Sequence, residues 1–154
     1  MALILSRQNI KALPTLSLSR REEALQVSKG GYVVMDAAKP AAVLVADGSE
    51  VSTLVEGAEL LAAEGIAVRV VNVPSEGLFR DQPRSYQTNV LPAGIVRYGM
   101  TSGLPVNLLG LVGENGRIHG LNHFGFSAPY KVLDEQFGYN GKTVAAEVKE
   151  LLGK

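Results

Sequence analysis

The chain has 154 residues, 46% of them hydrophobic, and its 15 Lys and Arg residues balance 15 Asp and Glu residues, so the formal net charge is zero. This length accommodates one compact domain, and the lack of surplus positive charge argues against nucleic-acid binding. The absence of cysteine excludes disulfide frameworks, zinc fingers and thiolate catalysis, and no apolar run approaches the roughly 18 residues of a membrane span, so composition predicts a soluble, cytoplasmic α/β domain.

The N-terminal part of the chain differs in character from the rest. Residues 1–9 (MALILSRQN) predict a strand that runs into a polar loop, and such a strand needs a partner strand for its backbone polar groups. Residues 10–31 contain one proline, two closing glycines and the charge cluster RREE, which is typical of a linker. We therefore predict a boundary that separates residues 1–30 from residues 31–154.

A regular alternation of strands and helices begins after this boundary. Residues 32–34 predict a short strand, and the continuous apolar run 41–46 predicts a strand buried on both faces. A helix with one apolar face begins in the segment DGSE at 47–50 and ends at Gly65, a residue type that favours helix C-termini. Residues 68–73 predict the next strand, so this unit is expected to form a right-handed parallel crossover.

The second half of the chain is predicted less completely. Residues 75–92 indicate one or two short helices, residues 94–100 a third core strand and residues 117–121 a short fourth one. Residues 101–116 are rich in glycine and leucine and remain without an assignment.

Two helices are predicted at the C-terminal end. Residues 128–137 form the first, with Pro129 suited to its first turn. The second helix is amphipathic. Its apolar stripe consists of Val144, Val148, Leu151 and Leu152, and its polar face of Lys142, Glu147 and Glu150. Together these elements predict a three-layer α/β/α sandwich around a mainly parallel sheet.

The loop at residues 47–50 is the first candidate binding site. It joins the carboxyl end of a strand to a helix N-terminus, where an open α/β sheet usually binds ligands and where free N–H groups favour phosphate. The alternative is that Ser49 or Thr53 caps the helix, with Glu56 completing a capping box. Since neither GxGxxG nor GxxxxGK[ST] is present, capping is the favoured interpretation.

Other polar residues offer weaker indications of chemistry. His119 and His123 have the spacing of metal ligands on a helix, but no carboxylate cluster joins them, so two ordinary imidazoles are favoured. The sequence TSG at 101–103 follows a strand, but the chain lacks the G-x-S-x-G motif of a serine hydrolase. Asp134 and Glu135 are interpreted as a solvated helix face.

The strongest single candidate is Arg7, in the sequence SRQN that directly follows the first apolar run. Its guanidinium could bind a phosphate or carboxylate through two parallel hydrogen bonds. From spacing alone, an ordinary surface arginine is the favoured interpretation.

Several short motifs, in order along the chain, resemble those of the transketolase family. Residues 2–9 (ALILSRQN) resemble the segment that closes its middle, pyrimidine-binding domain. Residues 30–33 (GGYV) resemble the entry to its third domain, and residues 47–51 (DGSEV) its strand-to-helix turn TGSEV. The series continues with 68–75 (VRVVNVPS), 90–92 (VLP), 124–129 (FGFSAP) and 137–139 (FGY). The chain thus resembles the C-terminal domain of transketolase with a short tail of the preceding domain.

This resemblance implies a function for the full-length protein. Transketolases transfer a two-carbon ketol unit between sugar phosphates in the pentose phosphate pathway, as homodimers that use thiamine diphosphate and a divalent metal, Mg or Ca. The family's GDG…N diphosphate motif and its pyrimidine-activating glutamate have no counterpart in this chain. We therefore expect a structural domain that works with two N-terminal domains, binds no cofactor or metal, contributes no catalytic residue and is inactive alone.

The resemblance also assigns a role to Arg7. By resemblance it binds the terminal phosphate of the sugar substrate, with Ser6 and Gln8 as neighbours, which reverses the interpretation from spacing alone. No other family active-site residue has a counterpart in this chain.

The chain departs from the family pattern in places. The family has VEAG followed by an aromatic-rich stretch, whereas this chain has MTSG at 100–103 and then 104–111 without an aromatic residue. Asp47 replaces the threonine of TGSEV. Two other hypotheses stay open: a stand-alone interaction or regulatory module derived from this fold, and a small anion-binding domain that uses Gly48 and Ser49.

Overall fold

The computed structural model describes residues 9–16 and 19–154, without the side chain of Arg20. Within this part of the chain a sheet is built from five strands: β1 (Tyr32–Met35), β2 (Ala42–Ala46), β3 (Val68–Asn72), β4 (Val96–Met100) and β5 (Arg117–His119). Their spatial order is β1-β3-β2-β4-β5. The strand predicted at residues 1–9 lies outside the described residues except for Asn9.

Helices surround the sheet. The α-helices are α1 (Arg20–Ala24), α2 (Glu50–Ala63), α3 (Glu76–Arg80), α4 (Arg84–Val90), α5 (Leu109–Val112), α6 (Tyr130–Phe137) and α7 (Gly141–Leu151). Short 3-10 helices cover Leu25–Lys29 and Pro105–Leu108. None of the helices in the described ranges is long and apolar enough to cross a membrane.

The sheet is mainly parallel, as predicted. β2 lies at its centre and pairs in parallel with β3 and β4, and β4 pairs in parallel with β5. Among the five described strands, only β1 runs antiparallel, against β3, with an irregular register between Val33 and Met35. All five residues of β2 are buried, which confirms that its continuous apolar run marks a strand covered on both faces.

Two cores on opposite faces of the sheet make the predicted three layers. On one face α2 and α7 pack on the sheet, and Leu44, Leu54 and Val148 are fully buried between them. On the other face α3, α4 and α5 cover Val43, Val45 and Val71. Burying apolar side chains on both sides stabilises the fold by about 25 cal/mol for each Å² removed from water.

The segment predicted as an irregular linker is partly helical. Ser19 caps α1 in a capping box, because its hydroxyl accepts from the Glu22 N–H (3.3 Å) and the Glu22 carboxylate accepts from the Ser19 N–H (3.0 Å). Glu23 is buried, and its carboxylate accepts from the Leu16 N–H at 2.7 Å. The charge cluster therefore starts a helix and ties the preceding chain to it.

The remaining differences concern element ends. The unassigned segment 101–116 contains a 3-10 helix followed by α5, and Leu108, Leu111 and Val112 are buried in it. The strand predicted to reach residue 121 ends at His119. Pro129 occupies the N-cap position, so α6 begins two residues later than predicted. Proline suits this place because it has no N–H to satisfy.

Candidate functional site

A polar cavity of about 310 Å³ lies where the start of the described chain meets α2 and α6. Its walls include Asn9 and Lys11 from the start of the described chain and Ser49, which directly precedes α2. Glu56 of α2 and Asp134 of α6 complete this group of lining residues. The Lys11 ammonium pairs with the Glu56 carboxylate at 2.6 Å. This ion pair joins the segment after the SRQN motif to α2. Ser6, Arg7 and Gln8 themselves lie outside the described residues.

The loop at residues 47–50 takes the predicted position between β2 and α2, but neither predicted cap forms. Ser49 already has helical backbone angles (φ −67°, ψ −31°), and its hydroxyl donates to the Glu50 carboxylate at 2.9 Å. Thr53 lies inside α2, so the capping box with Glu56 is wrong as well. A cap must precede the helix with extended backbone geometry, as Asn140 does at α7, where it accepts from the Thr143 N–H at 3.0 Å.

Carboxylates dominate the electrostatics at this end of the sheet. Burial raises the pKa values of Asp47, Glu50 and Asp134. Burial and the charges of Glu50 and Asp134 raise the pKa of Tyr139 to about 12. Asp134 is partly buried in the wall of the cavity, whereas Glu135 is exposed, as expected for a solvated helix face.

These carboxylates argue against an anion site at Gly48 and Ser49. Asp47 and Glu50 flank Gly48 and Ser49 directly, and the Ser49 hydroxyl, a donor that a phosphate would use, already donates to the Glu50 carboxylate at 2.9 Å. Their charge would also repel a bound anion. The geometry gives no support to the small anion-binding domain at this loop.

The two histidines occupy separate environments, each with its own partners. His119, on β5, lies with Nδ1 3.2 Å from Glu147 Oε2 and Nε2 2.9 Å from the Phe137 carbonyl. His123 is exposed, and its Nδ1 lies 2.8 Å from the Phe124 carbonyl. Across residues 9–16 and 19–154, no three His, Asp or Glu side chains form a group that could hold a metal ion. This arrangement supports the interpretation of two ordinary imidazoles.

Glu147 is the polar residue whose role the sequence pattern missed. It was expected on the solvated face of the last helix, yet its carboxylate accepts from the Tyr98 hydroxyl at 2.7 Å and from the Arg117 guanidinium at 2.8 Å, and it contacts His119. Burial raises its pKa, but these donors outweigh burial and lower it overall, while the hydrogen bond to Glu147 raises the pKa of His119.

The sequence feature that could have indicated the hydrogen bonds of Glu147 is Tyr98, a polar residue in a predicted core strand. Tyr98 is fully buried, and a buried tyrosine hydroxyl usually needs a hydrogen-bond partner. The sequence could not say which residue would supply it, because Glu147 is 49 residues away along the chain.

Thr101 has a structural environment that does not resemble a nucleophile site. Its side-chain oxygen accepts from the Gly103 N–H at 3.1 Å, and its carbonyl accepts from the Tyr139 hydroxyl at 2.7 Å. The Thr101 N–H donates to the His119 carbonyl at 3.0 Å. These bonds connect the end of β4 to β5 and to the turn between α6 and α7.

Large apolar side chains are exposed on the segment 104–109, in the FGFSAP motif at 124–129 and in the first turn of α6. Phe124 is 97% exposed. Further large apolar side chains with exposed surface in these segments are Leu104, Val106, Leu109, Phe126, Tyr130 and Val132. Exposed apolar side chains concentrated in this way are typical of contact surfaces.

Comparisons with known proteins agree with this architecture. The family model described as "Transketolase-like TK C-terminal domain" matches residues 30–140. The chain is 42% identical over 154 residues to Transketolase 1 of Escherichia coli strain K12, an alignment that covers 98% of this chain and 22% of that protein. The chain therefore spans about a fifth of the length of the curated relatives it matches.

Solved structures give the same result in three dimensions. A transketolase mutant from Pichia stipitis, described as a complex with xylulose 5-phosphate, superimposes with a TM-score of 0.84 at 29% identity, covering 96% of this chain and 20% of that one. The transketolase from Leishmania mexicana gives a TM-score of 0.83 at 33% identity with the same coverage. With a domain model matched over most of the chain and identity of about 40% along its whole length, the chain belongs to the transketolase family, as a C-terminal domain.

Proposed function

We propose that this chain is the C-terminal, non-catalytic part of a transketolase that transfers a two-carbon ketol unit between sugar phosphates. The observation that carries the proposal is the continuous match of 98% of this chain to about a fifth of a full-length transketolase. By this proposal residues 1–30 close the preceding domain and connect it, and residues 31–154 form the C-terminal domain. The family-model match from residue 30 supports that boundary.

The proposal assigns thiamine diphosphate and the divalent metal to the parts of the intact protein that this chain does not span. Within the described ranges, no cluster of metal-ligating side chains fits a diphosphate-bound metal. The walls of the cavity between α2 and α6 carry the carboxylates of Glu56, Asp134 and Glu135, and their negative charge does not suit a diphosphate. We therefore assign no chemical step to residues of this domain.

Arg7 is the proposed contact with substrate. Its guanidinium would bind the terminal phosphate of the sugar through charge-assisted hydrogen bonds. The support is the SRQN motif in the sequence and the ion pair of Lys11 with Glu56, which holds the following segment against α2.

The same proposal extends to partners and location. The exposed apolar side chains, among them Leu104, Val106 and Phe124, would contact the two N-terminal domains or the second subunit of a homodimer. The intact enzyme would act in the cytoplasm, in the pentose phosphate pathway.

A chimaera tests the proposal directly. This chain would replace the matching 22% of the bacterial relative with 42% identity, and ketol transfer would be measured from xylulose 5-phosphate to ribose 5-phosphate. We expect turnover by the chimaera and none by the isolated 154-residue chain. A folded, cofactor-loaded chimaera without turnover, or turnover by the isolated chain, would contradict the proposal.

The role of Arg7 has its own measurement in the same chimaera. Arg7→Ala should raise KM for both phosphorylated substrates about tenfold to a hundredfold, because a hydrogen bond to a charged group contributes ~1.5–3 kcal/mol. Arg21→Ala, at an exposed arginine of α1, is the matched control and should leave KM unchanged. Equal KM values for the Arg7 variant and the parent would remove Arg7 from the site.

A further inference from the structure

A second cavity, of about 220 Å³, lies on the opposite face of the sheet from α2 and α7. It is enclosed by α3, α4, α5 and the first half of β4. The described residues that line it include Arg80, Arg84 and Arg97 and no carboxylate. Glu76 of α3 pairs with Arg80, so the positive charge that no described carboxylate offsets comes from Arg84 and Arg97.

Arg97 is fixed in the wall of this cavity without a negative partner among the described residues. Its guanidinium donates to the carbonyl oxygens of Leu111 at 2.6 Å, Leu91 at 3.2 Å and Pro92 at 3.4 Å. Arg69 occupies the equivalent position on the other side of Val43 and pairs with Asp36 at 2.7 Å. Arg97 thus keeps its full charge where its neighbour is neutralised.

Arg80 approaches the same cavity through a gap that glycine provides. A Cβ at Gly110 would collide with the Arg80 guanidinium and lie 2.9 Å from the Glu76 carboxylate. The Glu76 carboxylate pairs with the Arg80 guanidinium and accepts from its Nε at 2.7 Å, which orients this side chain and offsets part of its charge. The lack of a side chain at residue 110 lets the guanidinium lie against α5.

Arg84 contributes the third charge. It is exposed at the start of α4, and no described residue forms an ion pair with it. Burial lowers the pKa of Arg97, and the nearby charge of Arg84 lowers it further. A bound anion would relieve this repulsion.

We propose that this cavity, lined by Arg80, Arg84 and Arg97, is a binding site for the phosphate group of a small soluble molecule. Guanidinium groups present planar pairs of N–H donors that match phosphate oxygens, and several of them around one concave site favour a doubly charged group over a single carboxylate. The cavity is smaller than the roughly 300–1,000 Å³ of drug-sized ligand sites, which suits a phosphate or diphosphate rather than a nucleotide. The site goes beyond the proposed transketolase function, which assigns substrate phosphate to Arg7.

Calorimetric titration of the 154-residue chain with inorganic phosphate and with pyrophosphate tests the site. We expect saturable binding that Arg84→Gln weakens at least about tenfold, the effect of losing one charged hydrogen bond. Arg84→Lys should retain more of the affinity than Arg84→Gln because it keeps the charge. Arg21→Gln, the same change at an exposed arginine outside the cavity, should bind like the parent chain.

Two further measurements locate the bound phosphate. In amide NMR spectra the signals of Thr88 and Gly110, which line the cavity, should move on titration, and Arg7→Gln should not change the affinity. The proposal would be overturned if neither inorganic phosphate nor pyrophosphate bound. It would also be overturned if Arg84→Gln bound phosphate as tightly as the parent, or if Arg7→Gln lost binding. Binding of a short polyglutamate peptide in place of both phosphate probes would also overturn it, since the site would then recognise an acidic protein segment.

Discussion

The interaction of His119 with Glu147 makes the stability of the fold depend on pH, because it shifts the pKa values of both side chains. The hydrogen bond to Glu147 raises the pKa of His119, and the donors around Glu147, against its burial, lower the pKa of that carboxyl. A raised histidine pKa stabilises the fold fully below the ordinary value of about 6.5, and this contribution is lost as pH rises through the folded-state value. A lowered glutamate pKa stabilises above about 4.3 and is lost as pH falls. The pair therefore contributes most between these values.

We predict that His119→Gln removes part of the decline in the free energy of unfolding that occurs as pH rises above the ordinary histidine pKa of about 6.5. Urea unfolding at several pH values would measure it, and the difference between variant and parent cancels the contributions of Asp47, Glu50 and Asp134. His123→Gln, at the exposed histidine, should keep the pH dependence of the parent. The same pH dependence in His119→Gln and the parent would disprove the coupling.

The contact of α2 with α7 depends on two glycines where the helices cross. A Cβ on Gly57 would lie 2.6 Å from the Cβ of Val144, and one on Gly141 would lie 2.9 Å from the Cβ of Glu56. Glycine in a helix interior costs about 0.5–1 kcal/mol relative to alanine. Close approach of the two helices compensates for that cost, because it buries Val144 and Val148 completely.

We predict that Gly57→Ala destabilises the chain by about 1–3 kcal/mol, the range for overpacking in a well-packed core, although alanine is the better helix former. The free energy of unfolding in urea would measure this. Gly77→Ala is the matched control: Gly77 lies in α3 and no atom lies within 4 Å of its added Cβ, so the change should be neutral or stabilise by up to about 1 kcal/mol. A Gly57 variant as stable as the parent would show that the helices can separate at low cost.

At the scale of the whole molecule, a domain that folds around its own two cores is proposed to serve an enzyme whose cofactor site lies elsewhere. All strands except β1 in the described part of the chain are parallel, and both faces of the sheet are covered by helices of this same chain. Folding and catalysis are thus separable properties in this proposal: the core is local to the domain, whereas the cofactor site needs residues from beyond it.

We therefore predict that thiamine diphosphate with Mg²⁺ leaves the Tm of the isolated 154-residue chain unchanged, since only a ligand that binds the folded state raises its stability. Thermal unfolding with and without the cofactor measures this. The chimaera proposed above is the positive control and should show a higher Tm with the cofactor. A concentration-dependent rise in Tm of the isolated chain would place a cofactor contact within it.

The sequence alone determined the fold class, the family and most elements. The apolar run of β2, the helix that ends before Gly65 and the strand before Pro74 follow from hydrophobic period and from glycine and proline chemistry, which are local properties of the chain. Local pattern also indicated a polar loop at residues 47–50. The local pattern wrongly predicted that the Ser49 side chain caps α2. The backbone of Ser49 is already helical, and its angles are set by the connection between β2 and α2.

Only the tertiary structure decided which distant side chains meet. Glu147 lies on an amphipathic helix whose pattern predicts a solvated residue, yet Tyr98 and Arg117 from two strands bind it. The sequence places Arg97 in a predicted strand but does not indicate its neighbours. Only the packing of α3, α4 and α5 on β4 brings Arg97 near Arg80 and Arg84. Periodicity reports which face of an element is apolar, but the partners of a polar group are set by how the elements pack, and that information is not local to any segment.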